Sequence, residues 1–271
     1  MFKINNLTYQ YDKTRKALNN VSMDFNKGNI IGIIGSNGSG KSTLFNNLMG
    51  ILKSTEGEIL YNGEQIKYDK KSLYNLRKEV GIVFQDPEKQ IFYSMVYDDI
   101  AFALRNIGID EKTIKERIHT ALEAVNGLQF IDRPVHNLSF GQKKRVAIAS
   151  VVAMENKLVL LDEPTAGLDP ISTRAIVDII KGLNKRGVKI VISSHDMNLI
   201  YEICDYVYVL NQGVLINEGT REEVFINEEK IDEAGLELPW LVKLHKNMGL
   251  PLFPKEEDLY SFWNKQAQKT V

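Results

Sequence analysis

The segment Gly35-Ser36-Asn37-Gly38-Ser39-Gly40-Lys41-Ser42 constrains this chain more than any other. It fits the pattern G-x-x-x-x-G-K-[ST]. Before it, Ile30 to Ile34 is a continuous apolar run, as expected for a strand buried on both faces. After it comes an apolar-periodic segment ending at Gly50, so the local order is strand, loop, helix. Glycines let such a loop wind tightly, and its successive N–H groups then converge on an anion. The helix beginning near Lys41 adds its positive end to the same place. Lys41 can reach the outer phosphates of a nucleotide, and Ser42 can offer its hydroxyl to Mg²⁺.

A second segment, Leu158-Val159-Leu160-Leu161-Asp162-Glu163, ends an apolar strand in two carboxylates. Ligands in open α/β sheets sit at the C-terminal edge of the strands. There Asp162 would hold Mg²⁺ through water, and Glu163 would orient and polarise an attacking water. Alone, the pair would read as solvated acids at a strand end.

The rest of the chain supplies the frame. Val21, Met23 and Phe25 alternate with polar residues, and Glu58 to Tyr61 runs into an Asn62-Gly63 turn. Both are strand signals, so the N-terminal part reads as an antiparallel β subdomain. Ile114, Ile118, Leu122 and Val125 recur at helical spacing, and a further helix is expected from Gln142 to Met154. Strands at Leu158 to Leu161 and Val188 to Ile192 flank an amphipathic helix carrying Ile171, Ala175, Ile176, Ile179 and Leu183. That alternation predicts a parallel or mixed sheet with helical cover, an α/β fold. Residues 86–150 read as a helical subdomain inserted in a unit spanning 1–221. Residues 222–271 form an acidic, helix-forming extension.

Composition excludes several roles. The 271 residues carry 34 Lys+Arg against 35 Asp+Glu, which argues against nucleic acid as a partner. The single Cys204 forms no disulfide framework and reads as a small buried hydrophobe. The first residues lack a signal-peptide pattern, and no apolar run reaches the ~20 residues that span a bilayer. Work at a membrane therefore requires partners.

The two motifs above describe a P-loop NTPase without saying which kind. Leu138-Ser139-Phe140-Gly141-Gln142-Lys143-Lys144-Arg145 resembles the LSGGQ signature of ABC ATPases, with Phe140 where glycine is usual. Tyr11, Gln85, Ala166-Gly167-Leu168-Asp169 and His195 follow the order of the remaining ABC elements. The resemblance spans at least residues 1–221 and implies an ABC cassette that binds ATP with Mg²⁺ and hydrolyses it. It makes Tyr11 the aromatic on adenine, with neighbouring Tyr9 a rival, and extends the ATP-binding set through Gly35 to Ser42 and Thr43. The catalytic set becomes Glu163, His195, Gln85 and Lys41, with Ser42, Gln85 and Asp162 at Mg²⁺. Ser139, Phe140, Gly141, Gln142 and Asp169 become contacts to ATP held by a second subunit. His119, His136 and His245 receive no role.

Among ABC proteins, DNA-repair and chromosome-organising ATPases carry long coiled coils, and translation factors carry two cassettes with a basic linker. This chain has neither, so the resemblance favours a transporter. Val80 to Gln90, Leu138 to Ala149, Asp162 to Pro170, the Tyr68 to Leu73 segment and Ala234 to Pro239 are similar to energy-coupling-factor ATPases, particularly the cobalt-type CbiO subunits. The implied partners are a second ABC ATPase, identical or sister, a transmembrane coupling protein and a substrate-binding membrane protein, and the resemblance makes residues 222–271 a dimerisation extension that helps hold the two ATPases together. The implied location is the cytoplasmic face of the cell membrane, as a peripheral subunit. Cobalt is the implied substrate of the complex, with nickel or a vitamin as alternatives, and no cobalt or nickel site is expected on this chain. The apolar, aromatic stretch from Gln90 to Leu104 is either core or a docking surface for the membrane partner.

Overall fold

The computed structural model describes residues 1–12 and 15–267; Lys13, Thr14 and the last four residues of the expected C-terminal extension lie outside it. One sheet is antiparallel and runs β2 (Lys16–Asp24), β1 (Phe2–Gln10), β4 (Glu56–Tyr61), β5 (Glu64–Gln65). Asn62 (φ 53°) and Gly63 (φ 85°) close the last hairpin, both left-handed, as a two-residue turn of mirror type requires. The larger sheet runs β10 (Val214–Thr220), β9 (Tyr206–Asn211), β3 (Ile30–Ile34), β8 (Lys189–Ser194), β7 (Leu158–Asp162), β6 (Val80–Val83). Its strands from β9 to β6 are parallel, and β10 is an antiparallel edge.

The larger sheet is buried on both faces, which is why its strands read as unbroken apolar runs. Alternate residues serve two cores. Val159, Leu161, Ile190, Ile192, Val207 and Val209 face one, and Leu158, Leu160, Val191, Tyr208 and Leu210 face the other. The second core is closed by the antiparallel sheet and by Leu44, Phe45 and Leu48 of α1 (Lys41–Leu48). The first is closed by helices α3 (Val96–Asn106), α4 (Glu111–Ala124), α5 (Phe140–Ala153), α6 (Pro170–Lys185) and α7 (Met197–Ile203). α2 (Lys70–Glu79) contributes Leu76 to the second core and leads into β6.

Helix starts follow their caps. α5 begins at Phe140, two residues before the position expected from periodicity. Ser139 caps it and Gln142 closes a reciprocal capping box, satisfying two terminal N–H groups. α6 begins at Pro170 behind an Asp169 cap, a position where the missing proline N–H costs nothing. Five of its residues, Ile176, Val177, Ile179, Ile180 and Leu183, are buried. At roughly 1.5–3 kcal/mol each, that face rather than helix propensity holds α6 on the sheet.

The Gln90 to Leu104 stretch divides between its two readings. Val96, Ile100, Ala101 and Leu104 are core, whereas Phe92 is 79% exposed and Tyr93 and Phe102 pack at a tilt on the surface with centroids 5.3 Å apart. Asp99 accepts the N–H groups of Phe92 and Tyr93 and so fixes the turn that presents them. Burial holds its carboxyl above the usual range, while those N–H groups act the other way.

The C-terminal helices are α8 (Arg221–Ile226), α9 (Glu228–Glu233), α10 (Trp240–Met248) and α11 (Glu256–Ala267). Val224, Phe225, Ile231, Leu241 and Val242 join the first core. The Trp240 N–H donates to Asn198 Oδ1 on α7 at 2.9 Å, and Asn211 Nδ2 donates to the Glu233 carbonyl at 2.9 Å. Tyr260 and Trp263 remain exposed.

Candidate functional site

Strand register builds the site. Ile34 of β3 lies opposite Ser194 of β8, Ser193 opposite Asp162 of β7, and Leu161 opposite Val83 of β6. β3 and β8 therefore end level, β7 ends one residue short of β8, and β6 one residue short of β7. The next residues are Gly35, His195, Glu163 and, one further on, Gln85. Adjacent strands are about 4.8 Å apart, so these groups form one row along the sheet edge. A cleft of about 520 Å³ opens over the row, and Tyr11, Asn37, Gly38, Gly40, Lys41, Ser42, Thr43, Gln85, Glu163 and His195 line it.

The glycine loop turns through left-handed conformations at Gly38 (φ 81°) and Gly40 (φ 108°). A Cβ on Gly40 would lie 2.7 Å from the Ala17 carbonyl, so a larger residue meets both strain and a backbone wall. Ser39 is buried, and its hydroxyl has no hydrogen-bond partner among the described residues. Lys41 is folded back on the loop, its Nζ donating to the carbonyls of Gly35 at 2.7 Å and Ser36 at 3.2 Å. Burial lowers its pKa, opposed by the charges of Glu163 and Asp162.

Glu163 stands over this lysine. Its Oε1 is 3.9 Å from Lys41 Nζ, and both side chains are 7% exposed. Its Oε2 is 2.8 Å from His195 Nδ1 and also accepts the His195 N–H. An ionised carboxylate only accepts, so the His195 proton is assigned to Nδ1 and Nε2 is left for another partner. Glu163 has φ 46°, a left-handed conformation rare for a side-chain-bearing residue. Its N–H donates to both the carbonyl and the hydroxyl of Ser193, and the same hydroxyl donates to Asp162 Oδ1. Ser193 thus ties the two carboxylate residues to the neighbouring strand.

Tyr11 is 64% exposed at the cleft mouth, its hydroxyl 3.2 Å from Thr43 Oγ1. Its rival Tyr9 packs on the second core and meets the Tyr11 ring edge-on. Ser42, Gln85 and Asp162 offer a hydroxyl, an amide oxygen and a carboxylate. This hard-oxygen donor set fits Mg²⁺, which takes few protein ligands alongside phosphates and water.

Ser139, Phe140, Gly141, Gln142 and Asp169 do not line this cleft. The first four form the exposed or half-buried N-terminus of α5. The Asp169 carboxylate is engaged locally, accepting the Ser172 N–H at 2.9 Å and its hydroxyl at 2.7 Å, which holds its pKa down. Several residues at the site gave no signal in the sequence. Arg15, Lys16 and Gln212 line the cleft, and Ser193 braces it. Lys144 is completely buried, with its ammonium pulled down to about 8 by desolvation. Nothing in a Lys-Lys-Arg run reveals that its middle member points inward.

Such an arrangement can cradle a triphosphate on backbone N–H groups and one buried cation, and can polarise a water with a shielded carboxylate. The family profile described as ABC transporter matches residues 18–166. The cobalt import ATP-binding protein CbiO of Salmonella typhimurium is 47% identical, over 96% of this chain and 94% of its own length. The energy-coupling factor transporter ATP-binding protein EcfA of Methanocaldococcus jannaschii is 45% identical, over 88% of this chain and 85% of its own. Among solved structures, cbiO1 from Clostridium perfringens, described as part of the ABC transporter complex cbiONQ, superposes with a TM-score of 0.78. It is 41% identical and the match covers 90% of this chain and 98% of that one.

Proposed function

Because the chain belongs to the ABC transporter family, as an ATP-hydrolysing cassette of energy-coupling-factor type, we propose that it powers import through separate membrane proteins by closing on ATP against a second cassette. One observation carries this reading. The Glu163 carboxylate is poised between Lys41 and His195 in the cleft, while the signature residues of the same chain stand outside it.

In the first half of the cycle Lys41 exchanges the Gly35 and Ser36 carbonyls for the outer phosphates, and the loop N–H groups from Gly35 to Thr43 surround the rest. Tyr11 offers its ring to adenine. Ser42, Gln85 and Asp162 would hold Mg²⁺, which when bound would neutralise phosphate charge. Glu163 polarises the attacking water, His195 Nδ1–H keeps that carboxylate aimed, and Nε2 is left for the γ-phosphate. In the second half Ser139, Phe140, Gly141 and Gln142 present the N-terminus of α5 to ATP on the opposite cassette, and Asp169 crosses beside them. ATP then joins the subunits and its hydrolysis parts them, a two-state switch.

The opposing cassette is a second copy or a sister chain. Ser139→Arg tests this arrangement, because it puts bulk and charge at the proposed seam. ATP-driven dimerisation, read by sizing chromatography, is expected to be lost while ATP affinity of the monomer is retained. Unimpaired dimerisation would refute the shared site.

The remaining partners are a transmembrane coupling protein, docked on the surface of Phe92, Tyr93 and Phe102, and a substrate-binding membrane protein. No described helix is long and apolar enough to cross a membrane. The kinship with CbiO and EcfA supports a peripheral subunit on the cytoplasmic face. Cobalt is the proposed cargo, on the strength of the CbiO relative. In cells stripped of other cobalt uptake routes, cobalt accumulation is expected to require this chain and to stop with Glu163→Gln. Accumulation of nickel or a vitamin instead would replace the cargo and leave the ATPase reading in place.

A further inference from the structure

α5 faces two ways. Its N-terminus carries Ser139 to Gln142, and one turn further along it carries Lys144, whose side chain enters the chain's own site. Lys144 is fully buried, and its Nζ donates to the backbone carbonyl of Glu163 at 2.8 Å. That carbonyl also accepts the Ala166 N–H at 3.2 Å. Burying an ammonium ion is costly, and its one hydrogen bond among the described residues is to a carbonyl that already has a donor. The negative charges of Asp162, Glu163 and Asp86 offset part of that cost, and the Nζ lies 5.9 Å from the centroid of the Phe140 ring at the start of the same helix. That this charge is placed on a backbone carbonyl, and not paired directly with one of those carboxylates, calls for a reason.

The conformation of Glu163 supplies one. A non-glycine residue at φ 46° persists only where its surroundings over-determine it. Ser193 holds the Glu163 N–H from β8, and Lys144 holds the Glu163 carbonyl from α5. The second of these ties belongs to the helix that would grip the opposite nucleotide.

We propose that Lys144 is a positioning residue: it locks the backbone turn that aims Glu163 at the attacking water, and it links that turn to the signature end of α5. Docking of one chain's α5 on the opposite ATP then adjusts the carboxylate in that chain's own cleft. The two sites of a closed pair are coupled through one side chain in each subunit. This rests on the roles given above to Glu163 and to Ser139 through Gln142.

The test compares Lys144→Met, which keeps the length and removes the donor, with Lys144→Gln, which keeps an N–H donor on a shorter arm. Both are made in the full chain, and ATP affinity, kcat, KM and thermal midpoint are measured. For Lys144→Met, kcat is expected to fall about tenfold or more with KM and ATP affinity within about twofold and an undiminished midpoint. Lys144→Gln is expected to lie between that variant and wild type. A folded Lys144→Met with wild-type kcat would overturn the proposal, as would a joint loss of kcat, ATP affinity and thermal midpoint, which marks a purely structural bond. Should Lys144→Met not fold, Lys144→Gln decides on the same split: lowered kcat at constant KM supports the link, and wild-type kcat or joint loss refutes it. Glu163→Gln separates the two levels. If it still turns over, the site reading and the link fall together. If it is inactive while the Lys144 variants hydrolyse ATP normally, the link alone falls.

Discussion

Glu163→Gln is expected to stop steady ATP turnover while leaving ATP binding intact. The amide keeps the size of the carboxyl and still offers an oxygen to His195 Nδ1, so the cleft geometry survives. What it loses is the charge that polarises water, and losing a positioned base costs about 10²–10⁴-fold in rate. Affinity should hold or rise, because a negative group that is 7% exposed no longer faces the triphosphate. With binding preserved and turnover lost, the ATP-joined pair should accumulate and be visible by sizing chromatography. Steady-state activity within about tenfold of wild type would mean that another group takes the proton.

Lys41→Ala is expected to act one step earlier, on binding itself. Truncating one partner of a desolvated charge pair costs about 2–5 kcal/mol, equivalent to roughly 30-fold to several thousand-fold in Kd. The fold should tolerate the change. The ammonium is buried against two loop carbonyls, and that burial disfavours its charged form and lowers its pKa. A nucleotide titration showing wild-type affinity would remove Lys41 from the phosphate site. A collapsed thermal midpoint would instead give it a structural role.

Parts of the site differ in how legible they are in a sequence. Lys41 announces itself through the glycine-rich loop between an apolar strand and a helix, and Glu163, at the end of another apolar strand, becomes readable only beside that loop. The Asn62-Gly63 hairpin and the buried strands β3 and β7 are readable for the same local reason. α5 starts two residues ahead of Gln142, because apolar periodicity does not register the Ser139 cap. Bracing groups are a different matter. Ser193 and Lys144 act on Glu163 from 30 and 19 residues away, through bonds that depend on strand register and helix rotation. Neither residue type carries a periodic or positional mark of that duty. The stretch from Gln90 to Leu104 shows the limit from the other side. Its apolar content was evident, but only the tertiary packing separates Ile100 in the core from Phe92 at the surface.

The adjoining ends of β3, β8, β7 and β6 have a mechanical consequence. Groups mounted on adjacent rungs of a hydrogen-bonded ladder cannot move past one another without breaking it, so this wall of the cleft is stiff. It can clasp nothing by its own motion. Displacement provoked by nucleotide has to be absorbed by the parts hung outside the ladder, the helical flank and the opposing molecule, leaving the strand edge as the fixed jaw of a vice.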